Sequence, residues 1–286
     1  MPVASAPLTE RRTDARPVLT TGATSGIGLA TVIELARRGF RSIGSARSEA
    51  KAERVHAAAA EAGVEVETVI FDVTDADACT EVVAGLDLYG LVNNAGYAVT
   101  GAIEDVDDHQ ARQVLETMVI APMRLARLAL PAMRERGEGR IVNLSSIAGV
   151  ATAPLAGWYT GSKHALEALS DALRNEVARD GVKVVLVEPG GFRTGIWDEF
   201  AADIARLEAE GSRNADAYER MMRLQQLAER VMGEPEGCAR VIADAVASAN
   251  PRGRYLVGLD AQVLQLSHRV TPPFVRDRVL RGLLGL

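Results

Sequence analysis

Short apolar runs alternate with helical stretches along almost the whole of this 286-residue chain, and that alternation admits few folds. Pro17-Val18-Leu19-Thr20-Thr21 is an apolar run that ends in glycine, the pattern of a buried strand. Val182 to Val187 is nearly continuous in aliphatic residues, as a strand covered on both faces requires. Further strands are expected at 41–45, 64–71, 88–93, 140–144 and 254–257. Helices are expected at 27–38, 48–62, 75–86, 107–136 with a kink at Pro122, from the Tyr159 region to about 180, and at 235–249. Strands joined through helices run parallel, by right-handed crossovers, in a sheet covered on both sides. The expected fold is therefore α/β, a single-domain doubly wound parallel β-sheet with helices on both faces, spanning 17–259. Residues 1–16, polar and mixed in charge, are expected to form a disordered tail. The polar segment at about 195–232 is expected to be a helical substrate loop, and 260–286 a C-terminal extension.

Composition narrows the class of function. The chain is 48% hydrophobic and 24% charged, with net charge −6. No basic patch argues for nucleic acid. No apolar run approaches the ~18 residues that span a bilayer, and the first residues lack an apolar leader. A cytoplasmic location is expected, with Cys79 and Cys238 as buried free thiols. No metal site is expected.

Chemistry concentrates in a few short motifs. Tyr159 and Lys163 stand four residues apart, hence on one helix face. An ammonium beside a phenol favours the phenolate, so Lys163 is expected to lower the pKa of Tyr159 and fit it for acid–base work. Upstream, Thr21-Gly22-Ala23-Thr24-Ser25-Gly26-Ile27-Gly28 joins the first strand to the first helix. Its glycines permit a tight turn and close approach of backbone N–H groups to a pyrophosphate at a helix N-terminus. Gly22, Thr24, Ser25, Gly26, Ile27 and Gly28 are candidate cofactor contacts. After the second strand comes Arg47 where an acidic residue would hold an NAD ribose; arginine instead suits the 2′-phosphate of NADP(H). Asp72 and Val73 could flank an adenine, or Asp72 could cap the next helix. Asn94, Ala95 and Gly96 follow the fourth strand, where the amide could bind ribose or brace neighbouring strands. Ser146 ends the fifth strand region, and Pro189, Gly190, Phe192 and Thr194 follow the sixth. All stand at carboxyl ends of strands, where open parallel sheets bind ligands.

In order, TGATSGIG, NNAG, NLSS, YTGSK and EPGGFRT make the chain resemble the short-chain dehydrogenase/reductase family over about 18–257. The resemblance implies a Rossmann fold and Ser146, Tyr159 and Lys163 as catalytic residues. Tyr159 would be the acid/base and Ser146 the substrate-oxygen partner. Lys163 would tune Tyr159 and hold the nicotinamide ribose, and Thr194 with the Phe192 backbone would hold the carboxamide. Ser146 is preferred to Ser145 by the family spacing to the tyrosine. The implied function is an NADP(H)-dependent oxidoreductase acting on an apolar carbonyl or alcohol substrate, working as a homodimer or homotetramer. The segment after the sixth strand looks most like the branch of steroid and retinol dehydrogenases. Pocket walls are expected from Tyr97, 151–158 and the segment after Gly195, with Trp158, Phe192, Ile196, Trp197, Met221 and Met222 supplying apolar surface.

One position departs from the family pattern. Met118 stands where the family has an asparagine that opens a helix turn and holds a water linking the lysine to solvent. Methionine cannot do this. The expectation is a more regular turn near Met118 and low steady-state activity. The alternative function, of another class, is a catalytically weakened NADPH-binding sensor or scaffold.

Overall fold

The computed structural model of the protein describes residues 15–286. In chain order its main elements are β1 (Pro17–Thr20), α1 (Gly26–Arg37), β2 (Arg41–Ala46), α2 (Glu49–Glu61), β3 (Glu67–Ile70), α3 (Ala76–Ala84), β4 (Gly90–Asn93) and α4 (Asp108–Leu115). A π-helical turn (Glu116–Ile120) leads into α5 (Ala121–Arg136), β5 (Gly139–Leu144), α6 (Gly157–Glu176) and β6 (Val182–Pro189). The chain continues through α7 (Ile196–Ala209), α8 (Ala215–Ala228), α9 (Pro235–Ala247), β7 (Arg254–Val257), α10 (Leu259–Val270) and α11 (Pro273–Leu284).

The seven strands form one parallel sheet in the order β3-β2-β1-β4-β5-β6-β7. Alternation along the strands supplies both faces. Leu19, Leu91, Ile141 and Val184 face α3 and α5, packing with Cys79, Leu125, Ala129 and Met133. Their neighbours Val18, Val92, Val142 and Val185 face the other way, onto Leu35 of α1 and Cys238, Ile242 and Val246 of α9. This is a Rossmann fold, as expected. The strand order reverses between β1 and β4, so the loops after these strands part and leave a crevice at their carboxyl ends.

Three details differ from the sequence reading. Residues 1–14 of the expected tail lie outside the described residues, but Arg16 is held: its guanidinium sits 4.3 Å from the Tyr89 ring centroid and its carbonyl accepts from the Arg41 N–H. The expected extension beyond residue 260 is two helices, and Leu284 of α11 is buried beside Phe200, Ile204 and Tyr218. The expected long helix at 107–136 is broken into α4, the π turn and α5.

Candidate active site

The turn between β1 and α1 is built to let something approach its backbone. Gly22 and Gly26 have φ of +65° and +53°, values that favour glycine. A Cβ on Gly28 would lie 2.3 Å from the Gly22 carbonyl oxygen and 2.5 Å from Asn94 Nδ2, so no side chain fits. Ser25 precedes α1 without making a side-chain capping bond, which leaves the N–H groups of the first turn open to an anionic group. The residues therefore fit a dinucleotide pyrophosphate. Asn94 braces the turn: its Nδ2 donates to the carbonyls of Thr21 (2.9 Å) and Gly22 (3.1 Å). Thr21 Oγ1 completes the brace by accepting from the N–H groups of Asn94 and Ala95, each at 3.0 Å.

Arg47 and Asp72 stand near one another at the ends of β2 and β3. Arg47 is exposed just past β2 and makes no hydrogen bond or ion pair among the described residues. Asp72 does not cap α3; Asp75 does, accepting from the N–H groups of Asp77 and Ala78. Asp72 instead accepts from the Thr74 N–H (2.9 Å) and hydroxyl (2.8 Å). Burial works against its ionisation, but these bonds and the nearby Arg47 guanidinium hold its carboxyl below the usual range. Thr24, Arg47, Asp72 and Val73 do not line the cavity that holds the other candidate residues, and Val73 is buried in the core beside Cys79.

That cavity, of about 450 Å³, lies along the crevice. Gly22, Ser25, Gly26, Ile27 and Gly28 line it, as do Asn94, Ala95, Gly96, Ser146, Tyr159, Lys163, Pro189, Gly190, Phe192 and Thr194. Ile196, Trp197, Phe200 and Met221 add an apolar wall. Trp158 and Met222 do not line it. Trp158 packs with Tyr97, Met118 and Tyr159, and Met222 with the α7–α8 cluster.

Ser146 ends the loop after β5, and its hydroxyl lies within hydrogen-bonding reach of the Tyr159 phenol. It also accepts from the Ala148 N–H at 3.1 Å, which fixes its orientation. Lys163 follows Tyr159 by one turn of α6, with Nζ 5.8 Å from the ring centroid. The tuning expected from Lys163 is not what governs Tyr159 here. Burial raises the phenol above its usual value, with the Ser146 contact pulling the other way. The ammonium of Lys163, only 6% exposed, donates instead to the Leu144 carbonyl at 2.9 Å. Burial pushes Lys163 itself down to about 8, opposed by the charge of Glu167.

The turn at Met118 overturns a second expectation. It is not regular: Glu116–Ile120 is a π turn in which the Ala121 N–H reaches the Glu116 carbonyl, five residues back. Pro122 has no N–H for the Met118 carbonyl, so the i→i−4 ladder fails there whatever side chain stands at 118. Pro122, which the sequence marks as a kink, stands in the first turn of α5, just after this π turn. Met118 is buried in the turn, 1% exposed, among Val99, Val106, Val114 and Tyr159.

Other contacts were missed. Ser45 Oγ accepts from the Gly22 N–H at 3.0 Å, a role its small polar side chain at a strand end could have signalled. Asp260, from α10, accepts from the Gly191 N–H at 2.6 Å and braces the 190–191 loop; nothing local marks it. The Phe192 carbonyl is taken by the Trp197 indole at 2.8 Å.

Known proteins resemble this chain in sequence and in fold. The family model for short chain dehydrogenases matches residues 16–205. The chain is 34% identical over 269 residues to the uncharacterized oxidoreductase YbbO of Escherichia coli (strain K12), covering 93% of this chain and 94% of that one. It is 32% identical to retinol dehydrogenase 7 of Rattus norvegicus, covering 92% and 87%. A variant of the actinorhodin polyketide ketoreductase, solved with NADPH, superposes with a TM-score of 0.75 at 28% identity, covering 90% and 99%. Matched over most of its length by the family model and over nearly all of it by these relatives, the chain belongs to the short-chain dehydrogenase family of oxidoreductases.

Proposed function

We propose that this protein is an NADP(H)-dependent ketone or aldehyde reductase, running in reverse as an alcohol dehydrogenase, with an apolar small molecule as substrate. The observation that carries the reading is the convergence of Ser146, Tyr159 and Lys163 on the same cavity wall that the glycine turn opens into. A bound nicotinamide dinucleotide supplies or accepts the hydride. The protein's own groups do the rest. The turn 22–28 and the N-terminus of α1 take the pyrophosphate, and Arg47 takes the 2′-phosphate. Thr194 and the Phe192 backbone face the carboxamide, while Lys163 holds the adjacent ribose. Tyr159 gives its proton to the substrate oxygen as negative charge develops there, and Ser146 donates a hydrogen bond to the same oxygen. A Tyr159 kept as a phenol by burial is in the form that reduction needs. The apolar wall of Ile196, Trp197, Phe200 and Met221 suits an apolar substrate. The names of a retinol dehydrogenase and an NADPH-bound ketoreductase among the similar proteins support the same reading.

The test is a panel of apolar ketones and alcohols followed by NADPH absorbance. Tyr159→Phe should lower kcat by about 10²–10⁴-fold, the worth of general acid–base catalysis, with cofactor Kd nearly unchanged. A Phe variant with near-parental kcat would remove Tyr159 from proton transfer.

A further inference from the structure

One turn along α6 from Lys163 lies a cluster of charge, built around two buried carboxylates, that the proposed chemistry does not use. Glu167 follows Lys163 by four residues on α6, so the two share a helix face. Glu188, on β6 immediately before the cavity-lining Pro189 and Gly190, is 1% exposed. Arg254 of β7 joins them: its guanidinium donates to Glu167 at 3.0 Å and to Glu188 at 3.0 Å. The same guanidinium reaches Asp171 at 2.7 Å, and Asp171 is paired in turn with Arg174. One oxygen of Glu167, Oε1, is buried and finds no donor among the described residues. Glu188 stands within hydrogen-bonding reach of Glu167. Two facing carboxylates repel, and a single proton between them removes the repulsion.

We propose that Glu167 and Glu188 are positioning residues for Lys163: a buried carboxyl pair that shares one proton, is clamped by Arg254, and keeps the lysine ammonium charged. The charged and titratable groups around the pair are Lys163, Asp171 and Arg174 on α6 and Arg254 on β7. On the cavity side the ammonium meets only neutral partners, the Leu144 carbonyl at 2.9 Å and the Tyr159 ring, and Met118 brings neither donor nor charge. Glu167 is the carboxylate that acts on Lys163 electrostatically, opposing the burial that depresses it. Glu188, pushed up to about 7 by burial and then by Glu167, decides how much negative charge the pair carries near neutral pH. As Glu188 ionises, the second charge strengthens the hold on the Lys163 proton. The consequence for turnover rests on Lys163 serving the reaction as proposed above; the coupling itself does not.

The chain has three lysines, Lys51, Lys163 and Lys183. NMR of protein labelled at the lysine Cε therefore gives three titrating signals, and Lys163→Arg identifies the one of interest. The full chain is titrated without cofactor or substrate, so the result does not depend on the proposed activity. Glu167→Gln should weaken the proton affinity of Lys163 about tenfold, the scale of one charge lost at close range in a partly screened interior. Glu188→Gln should weaken it by a smaller factor; it keeps the shape and an acceptor for Arg254, and carries the test alone if Glu167→Gln does not fold. A fall in the Lys163 midpoint supports the proposal even if no substrate in the panel turns over. An unchanged midpoint in the folded variants overturns it and shows the pair to be structural only.

Discussion

Arg47 is a single side chain on which the choice between two dinucleotides is expected to turn. It stands exposed past β2, uncommitted to any ion pair among the described residues, beside an α2 whose N-cap Ser48 makes no side-chain capping bond. Arg47→Ala should weaken NADPH by about 1.5–3 kcal/mol, the worth of a charge-assisted hydrogen bond, and leave NADH nearly unaffected. Calorimetric titration decides this, and equal affinity of the parent for both dinucleotides would refute the assignment. Met118 is the second residue on which function is expected to hang. The π turn around it is intact, because Pro122 imposes it, so the missing amide leaves the backbone in place and removes only the polar atom. Met118→Asn should therefore raise kcat more than it changes cofactor affinity. It should also cost roughly 2–4 kcal/mol of stability, as large-to-small substitutions in packed cores do. Steady-state kcat and a denaturation curve measure the two effects. A variant no faster than the parent means that Tyr159 is reprotonated by another route.

Among the elements, α7 and α8 make the apolar wall, and they are fastened to the loop after β4 by hydrogen bonds to its backbone. Glu199 accepts from the Ala98 N–H at 3.1 Å and Asp203 from the Thr100 N–H at 2.9 Å. The buried Tyr218 hydroxyl accepts from the Ala102 N–H at 2.7 Å and donates to Asp105 at 2.6 Å. Tyr218→Phe removes the hydroxyl and leaves a backbone donor unmet, at a cost of roughly 1–3 kcal/mol. The denaturation midpoint should fall, and KM for an apolar substrate should rise with little change in kcat. An unaltered midpoint would show that the latch is dispensable. These contacts also mark where sequence stops being informative. The strands were legible because runs such as Val182 to Val187 have no other stable home than a covered sheet. The glycine turn and the Tyr159/Lys163 pair were legible from their spacing and their place after a strand or on a helix, whereas the choice of Ser146 rested on the resemblance to the family's spacing. Of the wall, Ile196, Trp197 and Met221 were legible as apolar residues after Gly195, but Phe200 and the packing behind it were not, since Ile204, Leu207, Tyr218 and Leu284 come together there from far apart in the chain. The role of Asp260 likewise depends on a contact across 69 residues. Spacing reveals the ammonium beside Tyr159 but not the burial that raises its phenol.

For the molecule as a whole, the buried Glu188 of β6 and Lys163 of α6 should write themselves into the pH dependence of folding. Glu188 keeps its proton up to about 7 in the folded protein, against an ordinary value of 4.5. Its contribution to stability is thus fully present below about pH 4.5 and is lost as pH rises through about 7. Lys163 has the opposite displacement, from 10.5 down to about 8. Between those values the unfolded chain holds more protons than the folded one, so stability rises with pH there, and below about 8 the penalty is complete. The two groups together place a shallow minimum of stability near pH 7–8, between the loss at Glu188 and the recovery at Lys163. His268, lowered by burial and by Arg276, acts in the opposite sense to Glu188 in the acidic range, so the parent curve alone mixes the two. Comparing the parent with Glu188→Gln separates them, because His268 is common to both. Glutamine is neutral throughout, so the variant should gain on the parent as pH rises from about 4.5 to about 7 and hold that gain above it. Melting temperatures of both proteins across this range are the measurement. A difference between them that does not change with pH would mean that Glu188 is ionised in the folded protein over the whole range, and the shared proton would have to be abandoned.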